Sequence, residues 1–132
     1  MQIKRFKNDE DYQTLLSWCQ ARNWPEINKD MLSDYGYIVS ENDKKIATCW
    51  LYPVIGSSVC WMGFPFSNPN SNKYERKKAL DLLFENMHNT AKNMGYTYIL
   101  TTSNTPPIEN RLKKYGYKLG DKNVNQYWGR LK

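Results

Sequence analysis

The amino-acid sequence predicts a mixed α/β fold, and two observations carry this prediction. Segments whose apolar residues have helical spacing alternate with short strand-like runs. The second half, from Trp61 to Leu131, has the pattern of strand, polar loop, amphipathic helix, strand, Asn-bearing turn, short helix and last strand. A helix that follows a strand through a polar loop directs free N–H groups at an anion, so this order is typical of proteins that hold a phosphorylated cofactor.

Composition indicates one soluble domain spanning residues 1–132. Hydrophobic content of 40% and aromatic content of 14% argue against disorder, while no apolar run is long enough to cross a bilayer. The first six residues lack the apolar stretch of a signal peptide, which predicts a cytoplasmic location without membrane contact. Cys19, Cys49 and Cys60 are widely spaced and only His88 could join them, so we expect buried thiols and no metal site.

The net charge of +6 is concentrated near the end of the chain. Arg111–Lys132 contains seven Lys or Arg residues and one acidic residue. Such a region attracts nucleic acid, an acidic protein or a phosphorylated small molecule, although a solvated basic surface without a partner has the same composition.

The first half is predicted to form a strand, two helices and a three-strand antiparallel meander. Acidic residues in the first turn and apolar residues spaced i, i+3, i+4 and i+7 predict the first helix, and Pro25 predicts the start of the second. Turn residues between β-branched and aromatic runs predict the meander. The elements are a strand at Ile3–Phe6, helices from Asp9 and over Glu26–Leu32, and strands at Tyr35–Glu41, Lys45–Val54 and Val59–Phe64.

The second half is predicted to add two helices and a strand, and to end on a strand pair. Asn72 and Glu75 have the spacing of a capping box, which begins a helix with an apolar face from Leu80 to Met94. Gly95 ends that helix. The other elements are a loop at Phe64–Asn72, a strand at Tyr96–Thr102, a helix from Thr105 through Lys114, and strands at Tyr117–Leu119 and Asn125–Leu131. The full order is β-α-α-β-β-β-α-β-α-β-β.

This order of elements resembles the GNAT superfamily, the acyl-CoA-dependent N-acetyltransferases. The resemblance covers nearly the whole chain and is most specific in the helix-Gly-strand segment Ala91–Leu100, in Asn104, and in Leu112–Tyr117. The last segment is similar to the family ending Tyr-x-Lys-x-Gly-Phe. The resemblance implies a mixed sheet that splays open after the fourth strand, with pantetheine in the gap and pyrophosphate on the following loop and helix start.

The resemblance also implies acetyl-CoA as co-substrate and a set of residues that bind it. Strand N–H groups near Phe64 would hold the thioester and stabilise its oxyanion. The residues implied in cofactor binding are Phe64, Phe66, Asn72, Lys73, Arg76, Lys77 and Asn104.

The predicted phosphate loop departs from the family pattern Gln/Arg-x-x-Gly-x-Gly/Ala. Glycine lets the backbone approach a phosphate closely, but Asn72–Ala79 contains none. Lys73, Arg76 and Lys77 instead lie on the first turns of a helix, where the helix dipole disfavours cations. A bound polyphosphate would offset that cost, so side-chain charge replaces the backbone cradle in one interpretation. In the other, the cluster is a solvated helix face.

Proton transfer is the second departure. Many family members carry a Tyr four residues before the terminal Gly, where this chain has Leu112, so Tyr115 is the candidate acid. The strand segment Val59–Met62 carries no carboxylate to serve as general base. The candidate substitutes, which also fit the role of surface charges, are Glu26, Asp30, Asp34 and Glu41.

The sequence thus predicts acetyl transfer from acetyl-CoA to a primary amine by direct attack. The acceptor is a small molecule or a protein, and Trp24, Trp50 and Trp61 are candidates for an aromatic acceptor pocket. The alternative is a catalytically degenerate domain that binds a protein or a nucleic acid through the basic C-terminal region. No oligomeric state is predicted.

Overall fold

The computed structural model describes residues 1–103 and 105–131 and has a mixed α/β architecture, as predicted. The strands are β1 (Gln2–Arg5), β2 (Tyr35–Glu41), β3 (Lys44–Pro53), β4 (Val59–Ser67) and β5 (Tyr98–Thr101), and the α-helices are α1 (Asn8–Ala21), α2 (Lys73–Asn93) and α3 (Pro106–Lys114). All five strands form one sheet in the order β1-β2-β3-β4-β5. The first four strands are antiparallel neighbours, and β5 runs parallel to β4.

The chain divides into two compact units, Met1–Thr102 and Ser103–Lys132. The first unit contains the sheet with α1 and α2. The second contains α3, after which Gly116 adopts a positive φ of 81°. The expectation of a single domain stays a prediction. No helix in the described part of the chain is long and apolar enough to span a membrane.

The start of α1 is fixed to the sheet by Asp11, whose side chain is completely buried. Its carboxylate accepts a hydrogen bond from the Lys7 N–H at 2.9 Å. The Nζ atom of Lys45 on β3 lies 2.7 Å from Asp11 Oδ1, an ion pair rather than an aligned hydrogen bond. The acidic first turn of α1 therefore anchors the helix as well as matching its dipole.

The apolar face predicted for α2 is buried except at its end, where Met94 is half-buried and follows the helix. Leu83, Phe84 and Met87 are inaccessible to solvent, and Leu80 and Ala91 are nearly so. These side chains pack against the sheet strands β2, β3 and β4. Because burying one such side chain contributes about 1.5–3 kcal/mol, this face is a major source of stability.

The predicted second helix, Glu26–Leu32, is wrong. One 3-10 turn, Lys29–Met31, forms in its place, between extended residues at Asn28 and Leu32. The Asp30 N–H donates to Oδ1 of Asn28 at 3.0 Å. A local side-chain bond of this kind competes with helix formation, and so short a run has little helical stability of its own.

Two strand predictions need correction. The predicted loop Phe64–Asn72 begins too early, because β4 continues to Ser67 and a bulge accommodates Pro65, which lacks the N–H of a regular ladder. The strand pair predicted for Tyr117–Leu119 and Asn125–Leu131 is wrong, since residues 115–131 contain no strand. That stretch lacks the apolar alternation of a half-buried strand.

Candidate functional site

The candidate site lies where β4 extends beyond β5. The two strands pair only as far as Met62 and Thr101, and the Thr101 hydroxyl donates to the Met62 carbonyl at 2.8 Å. Beyond that point β4 continues over Gly63–Ser67, and no strand in the described residues lies beside it on the β5 side. A strand directs its backbone groups alternately to its two neighbours, so this part of β4 offers N–H and C=O groups to a ligand.

A bulge in β4 falls within this open part. Trp50 of β3 pairs with Gly63, whereas Thr48 pairs with Phe66, so β4 carries one extra residue. Phe64 has a positive φ of 54°, which is uncommon for a bulky side chain. Such a conformation costs about 1–3 kcal/mol and clusters at functional sites. The bulge turns the backbone around Phe64 out of the regular ladder, at the position predicted to hold the thioester.

One face of β4 and its surroundings carry a run of five aromatic side chains, called here the aromatic strip: Trp24, Tyr52, Trp61, Phe64 and Phe66. The Phe64 ring lies 5.6 Å from Trp61, 6.0 Å from Tyr52 and 6.4 Å from Phe66, measured between centroids. Trp24, in the loop after α1, lies 5.6 Å from Phe66. These separations are favourable for edge-to-face and offset aromatic contacts, so the strip is a continuous packed surface.

The aromatic strip belongs to the side of the sheet on which α1 packs. Tyr52, Phe64 and Phe66 pack against a buried cluster that includes Leu15 and Cys19 of α1. Two of the three tryptophans predicted for an aromatic acceptor pocket therefore lie in one surface. The third, Trp50, is completely buried, and its ring lies 4.8 Å from Phe6, so it is a core residue.

Gly63 allows the Trp61 indole to lie flat against β4. A Cβ atom at Gly63 would be 2.5 Å from two indole carbons of Trp61. Any larger residue at this position would displace the ring. The absence of a side chain at Gly63 therefore sets the position of Trp61 within the strip.

Two tyrosines bind the loop between α1 and β2, which borders the aromatic strip. The Tyr12 hydroxyl donates to the Ile27 carbonyl at 2.6 Å, and the Tyr52 hydroxyl donates to the Met31 carbonyl at 2.8 Å. Burial raises the pKa of Tyr52 to about 12 and, together with the charge of Glu26, raises that of Tyr12. Both phenols therefore stay protonated near neutral pH and serve as fixed hydrogen-bond donors rather than bases.

The N-terminus of α2, predicted to bind pyrophosphate, is capped by its own side chains. The predicted capping box is present: the Glu75 N–H donates to Asn72 Oδ1 at 2.8 Å, and the Asn72 N–H donates to Glu75 Oε2 at 2.9 Å. The hydrogen bond from the Asn72 N–H, and then Lys44 at 3.1 Å, lower the pKa of Glu75. An ionised carboxylate therefore lies at the helix start, where it disfavours a second anion.

The predicted phosphate-binding cations have varied surroundings. Lys73 is exposed at the first position of α2, and Lys77 lies 3.7 Å from Asp81 in an i,i+4 ion pair. Arg76 is partly buried and donates through Nη1 to the Ser71 carbonyl. Of these three cations, Arg76 alone is partly buried, as a residue that lines a binding site would be.

The two remaining predicted site residues lie in the second unit. Tyr115 is the residue that follows α3, and Leu112, in the family's acid position, lies within that helix. Asn104 is outside the described residues. The roles assigned to Tyr115 and Asn104 stay predictions.

Sequence reasoning missed Arg22, at the end of α1. Its Nη2 donates to the Ser67 hydroxyl at 3.3 Å, and its guanidinium carbon lies 4.9 Å from the centre of the Trp24 ring. Arg22 therefore connects the end of β4 with the end of the aromatic strip. The available signal was an Arg two residues before an aromatic residue at a helix end, which is too common to indicate a site.

The fold has counterparts among solved structures. A crystal structure of a Trypanosoma brucei acetyltransferase superposes with a TM-score of 0.70 at 10% identity, covering 96% of this chain and 99% of that one. A predicted acetyltransferase of Clostridium acetobutylicum, solved with acetyl-CoA, has a TM-score of 0.66 at 15% identity, covering 96% and 95%. A Thermus thermophilus protein covers both chains completely, with a TM-score of 0.67 at 14% identity.

The described sheet and helices thus have the fold of GNAT acetyltransferases, as the sequence predicted. At these identities the likeness establishes the fold alone. No protein-family model and no curated protein matches the chain.

Proposed function

We propose that this protein transfers an acetyl group from acetyl-CoA to a primary amine. The observation that carries the proposal is the opening beside β4, where pairing with β5 ends at Met62 and a bulge at Phe64 follows. Cytoplasmic location is part of the proposal. It is supported by three cysteines that are buried and unpaired, as expected in a reducing compartment.

The open part of β4 suits the pantetheine arm of the co-substrate. That arm contains two amide groups, which can pair with strand N–H and C=O groups as an added strand would. At the bulge, a backbone N–H near Phe64 would donate to the thioester oxygen and stabilise the negative charge that develops there. These residues therefore fit the acyl-bearing end of acetyl-CoA.

The proposed reaction is a direct displacement. The amine nitrogen attacks the thioester carbonyl carbon, a C–N bond forms, the C–S bond breaks, and the sulfur leaves as a thiolate. The proton that the amine loses must pass to a base, and the thiolate takes up a proton afterwards. Of the candidate carboxylates, Glu26 and Asp30 belong to the loop that borders the aromatic strip, the loop whose Ile27 and Met31 carbonyls accept from Tyr12 and Tyr52.

The residues at the predicted phosphate site and at the predicted acid position match acetyl transfer less well, and this favours a second candidate function. Glu75 occupies the helix start with an ionised carboxylate, and Leu112 stands in the acid position. A chain that kept the fold while losing the cofactor would show this combination. The second candidate is therefore a catalytically degenerate domain that binds a protein or a nucleic acid through the basic segment Arg111–Lys132.

Calorimetric titration with acetyl-CoA tests the two candidates against each other. Binding, followed by release of free thiol when amines are added, supports the transferase. The matched variant is Phe64→Ala, which removes the ring but keeps the backbone N–H, so it should affect the acceptor more than acetyl-CoA. Absence of binding, together with nucleic-acid binding that weakens steeply with salt, would instead establish the second candidate.

A further inference from the structure

A buried donor without an acceptor lies at the end of the aromatic strip. Nη1 of Arg22 is inaccessible to solvent and has no hydrogen-bond partner among the described residues, while Nη2 donates to the Ser67 hydroxyl. The guanidinium is held in place by the Trp24 ring below it. Because an unpaired buried donor lowers the stability of the fold, a ligand that supplies a hydrogen-bond acceptor here would be bound favourably.

A second arginine adds positive charge to the same place. Burial, and then the charge of Arg76, lower the pKa of the Arg22 guanidinium. Neither arginine forms an ion pair with a carboxylate in the described residues. The acidic group that Arg76 influences is Glu75, whose carboxylate is already bound by Lys44 and by the Asn72 N–H. The positive charge of Arg76 therefore acts on Arg22, and an anion bound to Arg22 would offset this repulsion.

We propose that Arg22 and Ser67 form a binding site for one oxyanionic group, a carboxylate or a phosphate, of a small-molecule ligand. A guanidinium presents planar paired donors that match the oxygens of such a group. The Ser67 hydroxyl supplies one more donor, since hydroxyls rotate to suit their partner. The arginine comes from the end of α1 and the serine from the end of β4.

The position of this site indicates which ligand supplies the anion. The aromatic strip joins Arg22, through Trp24 and Phe66, to Phe64. Ser67 follows Phe64 by three residues that include the bulge, so their backbones lie no more than about 11 Å apart. Given the proposed function, an acceptor that places its amine at Phe64 would place an acidic group at Arg22, roughly that far away. The acceptor class is therefore an amine with an apolar middle and a carboxylate or phosphate at its far end.

The anion site itself is tested with inorganic phosphate, independently of acetyl transfer. Thermal unfolding is measured as phosphate replaces chloride at constant ionic strength, so that general screening stays fixed. The parent protein should gain thermal stability, and Arg22→Gln should lose that gain. Arg22→Lys, which keeps the charge without the planar donors, should retain part of it. Circular dichroism before heating establishes that each variant is folded.

Arg5→Gln is the matched control. Arg5 also lies over aromatic rings, those of Tyr35 and Tyr37, but it donates to the backbone carbonyl of Asp34 and not to a side-chain hydroxyl. This variant should keep the full response to phosphate. If the parent gains no more from phosphate than from chloride, or if Arg22→Gln and Arg5→Gln respond alike, the proposed site does not exist.

A second measurement identifies the source of the anion. If the acceptor supplies it, Arg22→Gln should lower kcat/KM for 8-aminooctanoate by about tenfold or more, the loss of one charge-assisted hydrogen bond, and leave kcat/KM for octylamine unchanged. If the co-substrate supplies it, the variant should weaken binding of acetyl-CoA but not of S-acetylpantetheine, which lacks the phosphates. The first pattern supports the assignment to the acceptor. The second overturns it, because the anion would then be the co-substrate phosphate that the family resemblance already implies. A protein that responds to phosphate but transfers no acetyl group would retain the anion site and lose the proposed function.

Discussion

Replacing Gly63 by Ala should destabilise the protein by about 1–3 kcal/mol, the usual cost of forcing an extra methyl into packed surroundings. The methyl carbon would lie 2.5 Å from two carbons of the Trp61 indole, whereas non-bonded carbons prefer about 3.5–4.0 Å. The indole has little room to retreat, because the rings of Tyr52 and Phe64 lie 5.2 and 5.6 Å from it. The ring must leave the aromatic strip, or β4 must shift.

Urea unfolding followed by far-UV circular dichroism measures this cost. Gly129→Ala is the control, because a Cβ at Gly129 would meet no atom within 4 Å. The same Gly63→Ala change is then made in a Trp61→Leu background, where the clash is absent and the loss should be much smaller. Equal stability of parent and Gly63→Ala, or an equal loss in both backgrounds, would refute the packing argument.

Three further predictions concern the cofactor, the chemistry and pH. Replacing both Arg76 and Lys77 by Ala should weaken acetyl-CoA binding by about ten- to a hundredfold in calorimetry, less at high salt, and unchanged affinity would contradict this. Because Leu112 replaces the acid, kcat should be about two to four powers of ten below that of a chain with one, and Leu112→Tyr should raise it. A fast parent that is inactivated by Tyr115→Phe would contradict that account. Burial raises the pKa of Cys49 from 9.0 to about 12. As the pH rises through this range, the thiol ionises in the unfolded chain before it does in the folded protein. The free energy of unfolding should therefore fall between these two pH values, by up to about 1.4 kcal/mol per pH unit. Cys49→Ala should flatten this dependence in urea titrations, and an unaltered slope would count against it.

The elements that the sequence predicted correctly are those determined by neighbouring residues. The capping box of Asn72 and Glu75 and the apolar face of α2 depend on spacings of three and four residues within one helix. The segment Glu26–Leu32 has a helix-like composition, but the Tyr12 and Tyr52 hydroxyls bind two of its carbonyls. These contacts between residues distant in sequence act together with the local Asn28–Asp30 hydrogen bond, and no local pattern contains the distant ones.

The candidate site was predictable in its location but not in its detail. The family resemblance predicted a gap in the sheet after the fourth strand, near Phe64. In the structure, the pairing of β4 with β5 ends at Met62, two residues before Phe64. The bulge could not be predicted, because it depends on how β3 and β4 pair. At the bulge, two residues of β4 lie opposite one residue of β3. Arg22 could not be predicted because its hydrogen-bond partner, Ser67, is far from it in sequence.

The capping box of α2 has a consequence for how this protein can evolve. In a helix whose first turn depends on a bound phosphate for its N–H partners, selection for a stable fold also preserves the ligand. Here Asn72 and Glu75 pair each other's N–H groups from within the chain, so this part of the cap does not depend on a ligand. A substitution near the start of α2 that spares these two residues can therefore change ligand binding without removing the helix cap.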